Sequence, residues 1–426
     1  MKIRINILML LLVLSAFGRL QATATRQESL PGISAFLLDD QDIFNQPSLM
    51  PFYYRAAIVD LSADSSQITG QSSVLLTYAD REQTFGVIGM AVNHRSDAAG
   101  QLIGYINPFT DTLGIAINLI DRIKDNGLGL SLYLIPESGS EYNLIYARKI
   151  GDWTSGAGVG HSSGQISHSG FNVENRAGSS ATGLTLGLGY DPSDALRVDA
   201  GLTYERLSFE SNFTATLADS TATENVKSKG LGYLAFSGRA FLNLNEEMVL
   251  VPLLSISYFD LGYEYSQNYN LLSPPGKNKS TDLFLGCGWQ FRPDNRMTLL
   301  AGLGFGYQAK TINDSLVYHS RQEKTTNKYP SITAGLESNL TSWLVMRIGA
   351  EKRLLSQSAT ITDFDDSSTV DKTVTQPYGL NLGLAVKNRG FTLDLTVNPK
   401  LIYSGGNIAS GSKNWPFTRA SLAYRF

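Results

Sequence analysis

The chain has 426 residues, with 35 Lys and Arg against 38 Asp and Glu and a formal net charge of −3. That balance offers no basic face for nucleic acid, and the single Cys287 excludes an intrachain disulfide. Hydrophobic residues make up 42% of the chain, while Gly, Tyr and Phe number 40, 20 and 19, a mixture that suits strands with one face in lipid and one in a wet interior.

Residues 1–24 read as a cleaved signal peptide. Lys2 and Arg4 form a basic start, an apolar run covers 7–16, and Ala22-Thr23-Ala24 supplies a small-residue cleavage site. The apolar run falls well short of the ~20 residues that a spanning helix needs. No Cys lies near the site, which argues against an acylated lipoprotein. Removing 1–24 takes away Lys2, Arg4 and Arg19 and no acid, so the charge moves from −3 to −6.

Residues 25–51 are too irregular for a membrane strand and read as a lumenal plug or a periplasmic leader. Their centre, 33–48, carries Asp39, Asp40, Asp42, Phe44, Asn45 and Pro47. This resembles the N-terminal signature of the long-chain fatty-acid transporter superfamily and its relatives in secretion systems. There an acidic pair, an aromatic and an Asn-Pro step precede the first strand, and the segment folds inside the lumen. Two departures stand out: Gln46 interrupts Asn-Pro, and no Gly-Gly precedes the acidic pair. Independently, a barrel of fourteen or more strands has a lumen wider than its own side chains fill, so it conducts water or is plugged. In a plug, Asp39, Asp40 and Asp42 would pair with Arg197, Arg347 or Arg353.

Residues 52–426 read as one transmembrane antiparallel up-and-down β-barrel. In 195–207, Leu196, Val198, Ala200, Leu202 and Tyr204 alternate with Arg197, Asp199, Gly201, Thr203 and Glu205. In 343–353, Leu344, Met346 and Ile348 oppose Arg347, Gly349, Glu351 and Arg353; in 391–403, Phe391, Leu393 and Leu395 oppose Thr392, Asp394 and Lys400. Period two with charge on one face indicates half-buried strands, and each run reaches the ~9–11 residues of a tilted membrane strand. Cys287 falls in phase with Leu285 and Trp289, an outward position.

Short connectors at 191–194, 243–247, 292–296, 339–342 and 387–390 alternate with long polar stretches near 162–180, 210–228, 266–280, 313–328, 357–374 and 404–413. Short turns on the periplasmic side and long loops outside form the outer-membrane barrel pattern. The expected count is about eighteen strands, with fourteen to eighteen allowed because 95–140 is poorly punctuated; two of the eighteen fall at 109–119 and 127–136. Tyr190, Tyr204, Trp289, Tyr307, Trp343, Tyr403 and Trp415 sit near expected strand ends, where amphipathic rings favour the membrane interface.

The last strand, 414–426, ends on Phe426 with Leu422, Tyr424 and Phe426 on one face and Arg419, Ser421, Ala423 and Arg425 on the other. This ending resembles the signal read by the outer-membrane barrel assembly machinery. It implies that machinery as a partner during biogenesis, outer-membrane lipid as surroundings, and a Gram-negative outer membrane as location.

No catalytic set is expected. His94, His161, His168 and His319 fall in no register with a nucleophile and an orienting group. Asp363, Asp365, Asp366 and Asp371 lack the Gly and closing Glu of a calcium loop, so neither metal nor cofactor is expected. The sequons at Asn212 and Asn339 carry no weight in a bacterial barrel. The inward charges Arg197, Asp199, Glu205, Arg347, Glu351, Arg353, Asp394 and Lys400 are the lumen-lining candidates, either setting a transverse field in a pore or pairing across strands to support the wall. Two functions follow as expectations. One is a porin-like channel or transporter for passive passage of small molecules through a polar, partly plugged lumen. The other is a secretion or surface-anchoring barrel that binds a protein partner through its long loops.

Overall fold

The computed structural model describes residues 23–62, 72–80, 82–94, 96, 140–170, 173–217, 220–267, 270–271, 276–316, 319–362, 367–397 and 417–426. The expected signal sequence up to residue 22 and the expected strands at 109–119 and 127–136 lie outside the described residues.

Among the described residues, nineteen antiparallel strands form a single sheet. They are β1 (Ala56–Ser62), β2 (Ser73–Tyr78), β3 (Val87–Val92), β4 (Ser140–Ile150), β5 (Trp153–Gly170), β6 (Val173–Ser193), β7 (Leu196–Leu217), β8 (Ser220–Asn243) and β9 (Met248–Gln267). Then follow β10 (Asn270–Leu271), β11 (Gly276–Asp294), β12 (Met297–Leu316), β13 (His319–Asn339), β14 (Leu344–Arg353) and β15 (Leu355–Thr362). The last four are β16 (Ser368–Thr375), β17 (Tyr378–Asn388), β18 (Phe391–Val397) and β19 (Phe417–Arg425).

Sixteen of these close a barrel, and three are additions to it. β3 pairs directly with β4, and β1 pairs with both β2 and β19, so the ring closes on the described strands. Sixteen is even, as closure of an up-and-down bacterial barrel requires, and falls inside the expected range. β14 and β17 complete the wall against each other. Above them β15 and β16 continue as a separate hairpin. The break lies at Leu354 on one side and at Gln376–Pro377 on the other. Pro377 has no N–H to donate, so the ladder cannot run through it. β13 accordingly pairs with β14 through Ser331 and with β15 from Lys328 upward.

Alternation places each face as expected. On β7, Asp199, Thr203 and Glu205 are buried, while Val198, Leu202 and Tyr204 are exposed. Outward Leu184, Leu186 and Leu188 on β6 and Leu299, Leu303 and Phe305 on β12 are likewise exposed. A soluble monomer rarely presents an apolar surface of that extent; here the bilayer covers it. Cys287 is outward too, between exposed Leu285 and Trp289 on the same face of β11. Near the short turns Trp153 packs against Tyr190, tilted, at 4.3 Å and Tyr424 lies 6.3 Å from Phe426, part of an interfacial girdle.

Where they are described, the long polar stretches at 162–180, 210–228, 266–280, 313–328 and 357–374 are largely strand. β5 to β9 and β11 to β13 run 18–24 residues each. Tyr204, Tyr258 and Tyr307 lie about ten residues from their periplasmic turns, one membrane crossing. Beyond Tyr204 the outward positions become Arg206, Ser208 and Glu210 while the ladder to β6 continues unbroken to Ala215. Once both faces are wet, the polarity period that marks a strand disappears, although backbone pairing persists. These strands therefore run well past the ends that alternation alone suggests.

Candidate functional site

Residues 23–53 run through the lumen and touch inward positions around its circumference. Thr23 caps helix α1 (Ala24–Ser29) by accepting from the Arg26 amide; cleavage after Ala24 would remove this cap and leave Thr25 first. Short 3-10 turns follow at Ser34–Phe36, Asp40–Phe44 and Pro47–Tyr53. The second is set by a reciprocal cap: Asp39 accepts from Gln41, and Asp42 accepts from the Asp39 amide at 2.9 Å. Two apolar clusters seat the segment. Leu30, Ile33, Phe36 and Leu37 pack on Val249, Val251, Leu253 and Leu300, and Ile43, Leu49, Met50 and Tyr53 pack on Ile58, Leu75, Val87 and Ile145.

The wall is hollowed where the segment passes. Gly156, Gly187, Gly201 and Ser237 are cross-strand partners in one row over β5, β6, β7 and β8. A Cβ on Gly156 would lie 2.5 Å from the Pro47 carbonyl carbon, one on Gly187 would lie 2.6 Å from the Ser48 amide, and one on Gly201 would strike the Asn45 carbonyl. Gln46 completes the seat by donating to Ser237 at 3.1 Å. Asn45 and Pro47, named from the sequence as plug residues, are thus the ones whose backbone lies on this shelf.

Ion pairs tie the segment to separate parts of the wall. Arg26 meets Glu337 at 2.9 Å; Glu337 also receives Arg347 at 2.7 Å, and Arg347 reaches Asp394 at 2.6 Å. Burial works against the Arg26 charge, but Glu337 and Asp39 outweigh it and raise its pKa above the ordinary arginine value. On β8, Arg239 meets Asp42 at 2.7 Å and donates to the Leu37 carbonyl at 2.7 Å. Behind it Asp199 lies 4.0 Å from Arg239 and accepts Arg197 at 2.7 Å, and the Arg197 guanidinium covers the Phe52 ring at 4.2 Å.

The expected pairing of the acidic trio is corrected by these contacts. Asp42 goes to Arg239 rather than to Arg197, Arg347 or Arg353, because those arginines already hold Asp199, Asp394 and Glu351 on the wall. Asp39 and Asp40 are fully buried next to each other. Neither Asp40 oxygen has a hydrogen-bond partner among the described residues, nor has Oδ2 of Asp39. Burial raises both carboxyls; Asp42 raises Asp39 further, and Asp39, Asp60 and Asp394 raise Asp40.

Of the remaining lumen candidates, Glu351 pairs with Arg353 at 2.6 Å and Glu205 accepts from Ser96 at 2.6 Å. Lys400 and the aspartates at 363–366 lie outside the described residues. Phe44 stacks on the half-buried ring of His94 at 3.4 Å. Leu422 and Tyr424 sit on β19 opposite the fully buried Ser421 and Ala423, and the Phe426 amide donates to the Arg55 carbonyl at the closing seam. Arg26, Arg239 and Glu337 lie outside the expected set. Arg239 and Glu337 occupy inward phases of strands whose outward phases are apolar, so parity alone points to them. Arg26 carries no such signal.

On the extracellular side of the segment lies a cavity of about 920 Å³. Gln41, Asp42, Phe44 and Asn45 line it from the segment, and Asn143, Thr185, Thr203, Ser255, Asp282 and Arg419 line it from the wall.

The autotransporter β-domain family model matches residues 146–269, which covers the end of β4 and all of β5 to β9. No curated protein matches the chain. Among solved structures, the transport unit of the autotransporter AIDA-I from Escherichia coli is similar over 66% of this chain and 91% of its own, at 12% identity and a TM-score of 0.34. The translocator domain of the autotransporter NalP from Neisseria meningitidis is similar over 74% and 98%, at 15% identity and a TM-score of 0.27. The toluene transporter TodX from Pseudomonas putida is similar over 96% and 97%, at 9% identity and a TM-score of 0.34. Residue roles do not transfer at such values.

A closed antiparallel ring, an apolar outer belt and a charged interior define the class: this is an outer-membrane β-barrel of the Gram-negative type. Within that class, the family match over part of the chain lies with autotransporter barrels.

Proposed function

We propose that this barrel is a secretion or surface-anchoring component, closed at rest by its own N-terminal segment and engaging a protein through its tall extracellular hairpins. The observation that carries the reading is the occupied lumen. Residues 23–53 are held by Arg26–Glu337 on one side and Asp42–Arg239 on another, an arrangement suited to regulated opening rather than steady diffusion. The autotransporter match supports the protein-handling side and coincides with the tall strands β5 to β9. Those strands raise a polar wall well beyond the bilayer, where a partner would be met.

The test has two parts. In planar bilayers the intact protein is expected to be silent or to flicker, and deletion of 25–50 to give ohmic conductance. Steady conductance from the intact protein would overturn the closed resting state. In the host, deletion of the gene should remove at least one protein from the surface or the medium, restored by the intact gene. An unchanged surface and shed protein profile would sink the secretion reading.

A second reading, passage of small polar solutes, is favoured by the hydroxyl- and amide-lined cavity beside the segment. It predicts solute-dependent uptake without any change in surface proteins.

A further inference from the structure

We propose that the cavity above the N-terminal segment is a binding site for a small polyhydroxylated carboxylate, of the class of a sugar acid, anchored by Arg419. The proposal holds whether the barrel serves a protein or a solute.

Arg419 extends from β19 into this cavity. Its Nε is buried and has no acceptor, and no ion pair or hydrogen bond holds the guanidinium among the described residues. The other lumenal arginines are engaged: Arg26 and Arg347 with Glu337, Arg239 with Asp42, Arg197 with Asp199. Asp60 lies within electrostatic range of Arg419, but its oxygens already accept from Ser421, Gln41 and Ser73. Of the other charged groups that line the cavity, Asp42 is paired with Arg239, Glu205 and Asp282 accept from the Ser96 and Ser257 hydroxyls, and Lys310 adds a second cation from β12. A guanidinium whose Nε has no acceptor among the described residues, and whose neighbour Asp60 already accepts three hydrogen bonds, can still take an anion, and its planar fork suits a carboxylate in two-point contact.

The rest of the lining selects the body of that anion. Thr185, Thr203, Ser255, Ser280, Asn143 and Gln308 present hydroxyl and amide groups. Thr185 and Thr203 share a hydrogen bond, Asn143 donates to the His94 carbonyl and Gln308 accepts from Asn327, and each keeps further donor or acceptor capacity that a chain of hydroxyls can meet and a hydrocarbon cannot. Phe44 and His94, stacked at 3.4 Å with planes 12° apart, give a flat ring surface at one side. Burial, followed by the nearby Arg419 charge, lowers His94 to about 3, so its ring is neutral. About 920 Å³ sits within the roughly 300–1,000 Å³ common for small-molecule sites and leaves room for one or two sugar rings.

The experiment is isothermal titration of the full chain, refolded in detergent, with glucuronate, glucose and inorganic phosphate. Glucuronate is expected to bind at least tenfold more tightly than either glucose or phosphate. Arg419→Gln should weaken glucuronate at least tenfold without changing heat-modifiable migration, and Arg419→Lys should retain part of the affinity. Should Arg419→Gln fail to fold, Thr203→Val carries the test, with a several-fold weakening expected. Equal binding of glucuronate and glucose, phosphate as tight as glucuronate, no binding of any probe, or unchanged affinity in these variants would each overturn the proposal. Such failure leaves the partner-binding reading standing, because that reading is judged by conductance and surface proteins.

Discussion

Arg26, on the helix that enters the lumen, and Glu337, on β13 of the wall, form a 2.9 Å ion pair that Arg347 joins from β14 at 2.7 Å. One carboxylate thus serves two guanidiniums, and only one of them belongs to the wall. Glu337→Gln would leave two buried cations facing each other, and removing one partner of a buried pair costs about 3–5 kcal/mol. The variant is expected to fold, since its apolar belt and ladders are untouched, but to release the segment. Proteolysis within 25–50 and open probability in bilayers should each rise at least tenfold. Wild-type behaviour in both assays would show that this clamp does not hold the segment.

Gly201 tests the shelf without altering any charge. A side chain there would strike the Asn45 carbonyl, and the row partners Gly156 and Gly187 press so closely on Pro47 and Ser48 that the segment backbone has no room to slide. Gly201→Val should unseat residues 45–48 and raise conductance, while β propensity keeps the strand itself intact. An equivalent valine at Gly379 on β17, whose Cβ would meet nothing within 4 Å, is the control and should leave conductance unchanged.

Asp39 and Asp40 make docking of the segment depend on pH. Their carboxyls sit above the ordinary 3.8 when docked, because burial disfavours charge and neighbouring carboxylates add to it, Asp42 on Asp39 and Asp39 on Asp40. The docked state therefore holds a proton that the released segment loses. Docking is strongest below the ordinary carboxylate range and weakens as pH rises from there through the raised value. Arg26, Asp42, Tyr53, Asp60 and Asp394 surround the pair, and of these Arg26 opposes the effect without abolishing it. Open probability should increase as pH is raised from the acid side through neutrality. Asp40→Asn, which stays neutral, should flatten that slope; a slope that persists in Asp40→Asn would assign it elsewhere.

The hairpin of β15 and β16 is separable from the barrel. β14 pairs with β17 from Leu344 to Lys352 without help from it, and β16 is exposed along its whole length. Replacing 355–375 by a short Gly-Ser turn should leave heat-modifiable migration and thermal stability unchanged within error. A loss of stability above about 1 kcal/mol would mean that the hairpin supports the wall, a size at which a surface change is no longer neutral.

Much of the barrel is legible in residue order alone. Alternation at Val198, Leu202 and Tyr204 against Asp199, Thr203 and Glu205 locates the membrane and the lumen, because a strand has only two faces and the bilayer accepts only one kind of residue. The periplasmic turns at 191–194, 243–247, 292–296, 339–342 and 387–390 are equally plain from their turn-forming residues. The upper halves of β5 to β9 are not, since above Tyr204 water lies on both sides and polarity no longer alternates. Nor is the course of the segment over Gly156, Gly187 and Gly201, because a glycine row emerges only when register aligns three strands.

Local pattern is therefore enough to decide class, orientation and the sign of each face, each being a matter of period two and of solvent on either side. Partnership needs the closed ring. Asp42 with Arg239 and Arg26 with Glu337 join residues 197 and 311 positions apart, while Arg419 is left with a bare Nε. No spacing rule along a chain reports which charges meet across a lumen.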